Sequence, residues 1–238
     1  MRLLRGDGPV LRIGHRGAKA LAPENTLDGF RTAIELGVDL VEFDALALAD
    51  GTLVVAHDPR RVRADSPPLE AALGFFAETA DVGLHLDLTS AGHERALVDA
   101  LLRHGLLDRT LVTSPLLAPL ATLHGLEPSL RLGVGDPHDR FGLSGRRVLA
   151  PAVLAAVGSL RLALPLRIAG LLRRTGASVA SLHHLVVTRA AVRRAHAEGA
   201  AVIAWTVNHR PTLRALVRAG VDGIVTDDPR LFADTLQP

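Results

Sequence analysis

Four short stretches of the 238-residue chain carry side chains that could do chemistry together: His15-Arg16-Gly17, Glu42-Phe43-Asp44, His57-Asp58 and Asp87. An imidazole titrates near neutrality, so His15 and His57 suit general acid–base work. The chain has eleven histidines, and the other nine, His85 and His183 among them, lack comparable context and are read as structural. Arg16, beside His15, offers a rigid fork for an oxyanion such as phosphate. Glu42 and Asp44 stand two apart, so on a strand they share a face. Two such carboxylates repel unless a proton or a cation lies between them. Oxygen ligands without sulfur suit one hard divalent ion, Mg²⁺, Ca²⁺ or Mn²⁺. The other reading is a solvated strand edge, against which stand the apolar neighbours Leu40, Val41 and Phe43. Asp87, in Leu84-His85-Leu86-Asp87-Leu88, is open to two readings, a third metal carboxylate or a salt bridge to arginine.

The elements that must position these residues follow from the apolar periodicity. Strands are predicted at 11–14, 40–49, 82–88, 111–113, 131–134, 178–182, 201–207 and 223–226. Asp50-Gly51 is a hairpin-type turn, and Thr52 to Ala56 after it counts as an extension of the second. Helices are predicted at 26–36, 68–79, 93–104, 116–124, 188–198 and 211–219, four of them stopped by Gly37, Gly105, Gly199 and Gly220. Eight strands, nearly all followed by a helix, predict a closed (β/α)₈ TIM barrel forming one domain over residues 1–238. No Gly-x-Gly-x-x-Gly follows the first strand, which argues against a dinucleotide fold. In such barrels chemistry gathers at the C-terminal strand ends. There fall His15, His57, Trp205, Asn208, Asp227 and Asp228, with Glu42, Asp44 and Asp87 on their strands.

Composition narrows the field. With no cysteine, thiolate metal sites, disulfides and cysteine nucleophiles are excluded. Six Phe, one Trp and no Tyr leave the core to Leu, Val and Ala. The formal charge is +2, Lys19 is the only lysine, and no basic run with interleaved aromatics points to nucleic acid. No secretory signal is visible at Met1 to Pro9, so the cytoplasm is the expected location. No uninterrupted apolar run reaches about 18 residues, so no stable membrane insertion is expected. The apolar, Arg-studded stretch Val148 to Arg174 fits a barrel helix kinked at Pro165, or else a segment that touches a membrane surface or admits an acyl chain.

Taken in order, His15-Arg16-Gly17, Pro23-Glu24-Asn25-Thr26, Glu42-x-Asp44, His57-Asp58, Ala204-Trp205-Thr206-Val207-Asn208 and Asp222-Gly223-Ile224-Val225-Thr226-Asp227-x-Pro229 resemble the glycerophosphodiester phosphodiesterase family. The resemblance implies a TIM barrel that hydrolyses glycerophosphodiesters to glycerol 3-phosphate and an alcohol. It implies His15 and His57 as the acid–base pair, Arg16 on the phosphate and Trp205 on the glycerol side of the pocket. Glu42, Asp44 and Asp87 would bind the divalent ion. Two departures stand out. Where the family usually has Glu-x-Lys, this chain reads Asp87-Leu88-Thr89, and Pro59 to Gly83 is short where the family usually carries a longer insertion. Both features also resemble the related phospholipase D toxins, so a lysophospholipase D or sphingomyelinase D-like enzyme acting on a lysolipid is the second reading. A non-catalytic phosphodiester-binding barrel is the third. The partner expected is a small-molecule glycerophosphodiester or lysolipid, not nucleic acid.

Overall fold

The computed structural model describes residues 2–62, 66–79, 81–137 and 150–233. Nine strands are present: β1 (Leu11–Gly14), β2 (Leu40–Ala47), β3 (Leu53–Val55), β4 (Gly83–Leu88), β5 (Thr110–Ser114), β6 (Arg131–Asp136), β7 (Val179–His183), β8 (Ala201–Trp205) and β9 (Gly223–Thr226). Seven helices alternate with them: α1 (Leu27–Glu35), α2 (Leu69–Glu78), α3 (Glu94–Arg103), α4 (Leu117–Leu126), α5 (Ala150–Thr175), α6 (Arg189–Ala197) and α7 (Arg210–Ala219). Eight parallel strands run β1-β9-β8-β7-β6-β5-β4-β2, and a β1–β2 pairing closes the ring. This is the expected (β/α)₈ barrel. The strand counted as an extension of the second, beyond the hairpin-type turn, is β3; it pairs antiparallel with β2 (Leu46 opposite Val54), as that turn predicts, and takes no place in the ring. The Asp50-Gly51 turn, with Gly51 at φ 87°, reverses the chain there.

The helices start and stop where local chemistry says they should. Thr26 caps α1 by accepting from the Gly29 N–H, and Thr188 caps α6 by accepting from Ala191. The glycines after α1, α3, α6 and α7 have φ between 65° and 97°, a conformation that only glycine adopts readily. α5 runs unbroken through Pro165; Val148 and Leu149 of the expected helical stretch lie outside the described residues.

The core has two storeys. Between sheet and helices, Phe30, Phe43 and Phe76 pack as a triad, with ring centroids 4.9–5.5 Å apart. Inside the barrel, Ile13, Leu40, Leu111, Val179, Ala201, Ile203 and Val225 form an apolar floor. The pleat converts one storey into the other. Phe43 points outward into the triad, so its neighbours Glu42 and Asp44 must point inward, above that floor. On β4, Leu84, Leu86 and Leu88 join the outer core, which turns His85 and Asp87 inward. In the β2–β4 register Glu42 lies beside His85 and Asp44 beside Asp87.

Candidate active site

Above the apolar floor opens a cavity of about 190 Å³, lined by His15, Arg16, Glu42, Asp44, His57, His85, Asp87, Thr113 and Trp205, with Ser181 and the backbone of β6. His15, Arg16, Glu42, Asp44, His57, Asp87 and Trp205, all singled out from the sequence, therefore line one pocket, whereas Asp58, Asn208, Asp227 and Asp228 stand outside its lining. The alternatives of a solvated strand edge for Glu42 and Asp44 and an arginine salt bridge for Asp87 are both overturned. Glu42 and Asp44 are buried, and Asp87 accepts instead from the Thr113 hydroxyl (2.7 Å).

The entrance to α1 is built around a turn in the left-handed region. Arg16 has φ 49° and Gly17 φ 86°. A Cβ on Gly17 would lie 2.5 Å from the Gly29 carbonyl carbon, so only glycine fits there. This turn sends the Arg16 backbone N–H onto Glu42 Oε2 (2.8 Å) and brings its Nε to 3.0 Å from Asp44 Oδ2. Its Nη1 donates to Glu24 Oε2 at 3.0 Å, and Lys19 Nζ lies 3.4 Å from the same oxygen. Asn25, also left-handed at φ 58°, donates to Asp44 Oδ2 (2.8 Å), and its Oδ1 accepts from the Asp44 N–H (3.3 Å). In the Pro23-Glu24-Asn25-Thr26 segment the last three residues have one task each: Glu24 restrains Arg16, Asn25 clamps Asp44, and Thr26 caps α1.

His15 is held from the far end of the chain. Its Nδ1 lies 2.5 Å from Asp227 Oδ1, and Asn208 Nδ2 donates to Asp227 Oδ2 (2.6 Å). The Asn208 Oδ1 accepts in turn from the Asp227 N–H (3.0 Å) and the Thr226 hydroxyl. Burial lowers the His15 pKa against the pull of Asp227. Burial would raise Asp227, but the bonds from His15 and Asn208 outweigh it and hold that carboxyl below its ordinary range. The pair is therefore a neutral imidazole donating Nδ1–H to a carboxylate, which leaves a lone pair on Nε2. That Nε2 stands 3.9 Å from Glu42 Oε2. His57 is the more open group, 44 % exposed at its side chain, with Nδ1 3.5 Å from Asp58 Oδ2.

The pocket is short of positive charge. Among the described residues lining it, Arg16 is the one Lys or Arg against Glu42, Asp44 and Asp87. Burial, then Asp44 and Asp87, push Glu42 well above its ordinary pKa; burial and Asp44 push Asp87 up to about 7. Burial works against the Arg16 charge, but Asp44, Glu42 and Glu24 together hold it above its usual value. Three mutually repelling carboxylates, Glu42 and Asp44 buried and Asp87 partly so, with a single guanidinium fit a divalent cation by charge and by donor chemistry. Among the described residues no three His, Asp or Glu side chains are already drawn to ligating spacing, since Asp44 is engaged by Arg16 and Asn25 and Asp87 by Thr113. Binding an ion therefore requires these side chains to re-aim.

Two histidines read from sequence as structural are corrected. His85 is buried on the pocket wall, and its Nε2 meets the Thr113 hydroxyl at 2.9 Å. That hydroxyl spends its proton on Asp87, so His85 Nε2 is the donor and Nδ1 carries a lone pair without a protein partner. Burial and the nearby His15 hold the His85 pKa down to about 3, which keeps the ring neutral. His183 packs edge-on against Trp205, with ring centroids 5.0 Å apart, and so steadies the indole on the pocket wall. The sequence put Asn208 and Asp227 at strand ends and Glu24 and Asn25 in a motif without assigning them partners; the structure gives Asp227 and Asn208 to His15, Asn25 to Asp44 and Glu24 to Arg16. Thr89 lies outside the pocket lining, with Oγ1 3.5 Å from the Ala45 carbonyl, so it offers no substitute for a lysine. Within the short 59–83 segment the described residues form a single 3₁₀ turn and α2.

Comparison with known proteins agrees with this geometry. The sequence model of the glycerophosphoryl diester phosphodiesterase family matches residues 15–66 and 160–231. A glycerophosphodiester phosphodiesterase from Caldanaerobacter subterraneus is 25% identical, over 96% of this chain and 98% of its own. The uncharacterised YqiK of Bacillus subtilis is 30% identical, over 91% and 94%. Among solved structures, an Oleispira antarctica phosphodiesterase in complex with the product sn-glycerol-3-phosphate superposes with a TM-score of 0.74. It shares 20% identity, covering 95% of this chain and 96% of the other.

Proposed function

This chain belongs to the glycerophosphoryl diester phosphodiesterase family, and from that membership we propose how it hydrolyses a glycerophosphodiester to glycerol 3-phosphate and an alcohol. The observation that carries the reading is the His15–Asp227 pair. It presents a neutral imidazole lone pair toward a pocket of buried carboxylates, with His57 on the same wall. His15 Nε2 takes the proton of the attacking water as the new bond to phosphorus forms. The bond from phosphorus to the leaving alcohol oxygen breaks, and His57, near solvent, gives that oxygen its proton. Where a substrate hydroxyl attacks first, water opens the resulting cyclic phosphodiester in a second step, with His57 taking the water's proton and His15 returning one to the hydroxyl. Arg16, fixed by Glu24 and Asp44, holds the phosphoryl oxygens. Trp205 offers the carbon face of the glycerol a flat apolar wall. Glu42, Asp44 and Asp87 would hold the divalent ion, which when bound supplies Lewis-acid compensation of phosphoryl charge.

The test is a panel of glycerophosphocholine, glycerophosphoethanolamine and lysophosphatidylcholine, each with Mg²⁺, Ca²⁺ or EDTA, followed by glycerol 3-phosphate release. Turnover of the water-soluble diesters that stops in EDTA is expected. Full activity in EDTA sinks the metal role, and choline release from the lysolipid alone transfers the assignment to a lysophospholipase D. His57→Ala is expected to lower turnover by about two orders of magnitude or more. A value within a few-fold of the parent removes His57 from the mechanism.

A further inference from the structure

Leu162 and Leu166 are 80 % and 86 % exposed, well above the 51 % of Leu102, the next most exposed large apolar side chain among the described residues. They stand one turn apart on α5. At ~100° per residue, Ala155, Ser159, Leu162 and Leu166 share one face, and all four are exposed. The opposite face carries Leu164, Ile168 and Leu172, buried against the barrel. A barrel helix ordinarily turns charge to solvent; this one turns leucine and alanine. Arg161 and Arg167 flank the stripe, one on each side, and Arg173 continues it. No acidic residue occurs between Ala150 and Thr175.

The charge continues around the barrel. From Ala150 to Val221 the sequence holds ten arginines and one acid, Glu198, a net charge of +9. The formal total is +2, so the remainder of the chain carries −7. Glu198 is itself shared by Arg173 and Arg194, at 2.9 Å each. Arg189 and Arg193 on α6, and Arg214 and Arg218 on α7, are exposed.

The stripe also sits beside the pocket mouth. The 26 residues of α5 span about 39 Å at ~1.5 Å each, whereas a six-residue strand spans about 20 Å. α5 ends at Thr175, just before β7 begins at Val179, so its excess length projects past the C-terminal strand ends. Arg161 Nη1 reaches the carbonyl of Leu185 (3.5 Å), in the turn after β7, and Leu185 is 44 % exposed. That turn follows His183, the residue that braces Trp205.

We propose that this side of the barrel docks on an anionic bilayer surface, with Leu162 and Leu166 entering the headgroup–acyl boundary and the arginines of α5 and α6 meeting lipid phosphates. Apolar side chains between cations are the composition of an interfacial helix. The same charge that attracts an anionic lipid opposes close packing of α5 on a second copy of itself. The orientation sets the pocket mouth next to the membrane plane, with the barrel outside it.

The experiment is co-sedimentation of the full chain with vesicles of phosphatidylcholine alone or with phosphatidylglycerol added, at low and at 1 M salt. Parent, Leu162→Ser/Leu166→Ser and Arg161→Gln/Arg167→Gln proteins are compared, with thermal unfolding as the check that each is folded. Binding to the anionic vesicles alone is expected, falling roughly tenfold in the serine pair and strongly at 1 M salt, where the screening length is ~3 Å. Equal binding by parent and serine pair, equal binding to neutral vesicles, or no pelleting at low salt overturns the proposal. So does a chain that dimerises through this face, seen as a parent dimer that the serine pair converts to monomer without any vesicle binding. None of these readouts uses hydrolysis, so the outcome stands apart from the proposed reaction.

Discussion

At the residue scale the decisive contact joins positions 212 residues apart. His15 Nδ1 meets Asp227, and Asn208 holds the other carboxylate oxygen. A neutral imidazole can place its proton on either nitrogen, and only an acceptor at Nδ1 leaves Nε2 as the base. Asp227→Asn can turn its amide to donate to Nδ1, which stabilises the wrong tautomer while filling the same volume. Its kcat is expected to fall by about two to four orders of magnitude, with KM within a few-fold and melting within a few degrees. A fall carried by KM instead places Asp227 on the substrate. The nitrogen-15 shifts of His15 give a second readout, since the parent is expected to be protonated at Nδ1 and the variant at Nε2. His85 differs in kind. Its ring is held neutral by burial, and its buried Nδ1 has no hydrogen-bond partner among the described residues.

At the element scale, the strand-to-helix turn after β1 shows how much of the site one backbone conformation supports. Gly17→Ala would set a Cβ 2.5 Å from the Gly29 carbonyl carbon and 2.6 Å from its oxygen, at φ 86°. Gly51→Ala has nearly the same φ, 87°, with nothing within 4 Å of the added carbon. The second change is expected to cost about 1 kcal/mol, the left-handed penalty alone. The first adds a backbone collision and displaces Arg16 from Glu42 and Asp44, so it should cost at least about 3 kcal/mol more. Chemical denaturation of both variants measures the difference; equal losses refute the close-packing account of Gly17.

Most elements were legible in the sequence for the same local reasons. Thr26 before α1, the glycines after four helices and the pleat alternation around Phe43 act within a few residues, and each lay where the pattern put it. The pleat even told which way Glu42 and Asp44 face. What stayed illegible depends on closure. A closed barrel sets β9 against β1, but nothing in Thr226-Asp227-Asp228 reports which side chain that pairing delivers to His15. His85 looked like one histidine in eleven until the β2–β4 register set it beside Glu42.

At the scale of the whole molecule, the barrel interior sets an apolar floor beneath a layer of buried charge, so stability and ion binding are linked. Without a cation, Glu42 and Asp87 relieve their repulsion by keeping protons, Asp87 up to pH of about 7 and Glu42 above its ordinary range. A divalent ion must displace those protons, so its affinity for the folded barrel rises as pH rises through these values. The histidines whose pKa burial lowers, His85 to about 3 and His183 to about 4, also make stability rise with pH. They withhold stability as pH falls below ~6.5, the unfolded value, with or without the ion. Subtracting the melting temperature in EDTA from that in Mg²⁺ or Ca²⁺ cancels the histidine contribution and isolates the carboxylates. The difference is expected to be small at pH 5 and to grow steadily to pH 8; at about a hundredfold excess over Kd the stabilisation reaches roughly 2.7 kcal/mol. Glu42→Gln removes a ligand and a repelling charge together, so it should abolish the ion's effect while leaving the ion-free barrel as stable as the parent or more so. A melting difference that ignores pH, or survives Glu42→Gln, would place the cation somewhere other than among Glu42, Asp44 and Asp87.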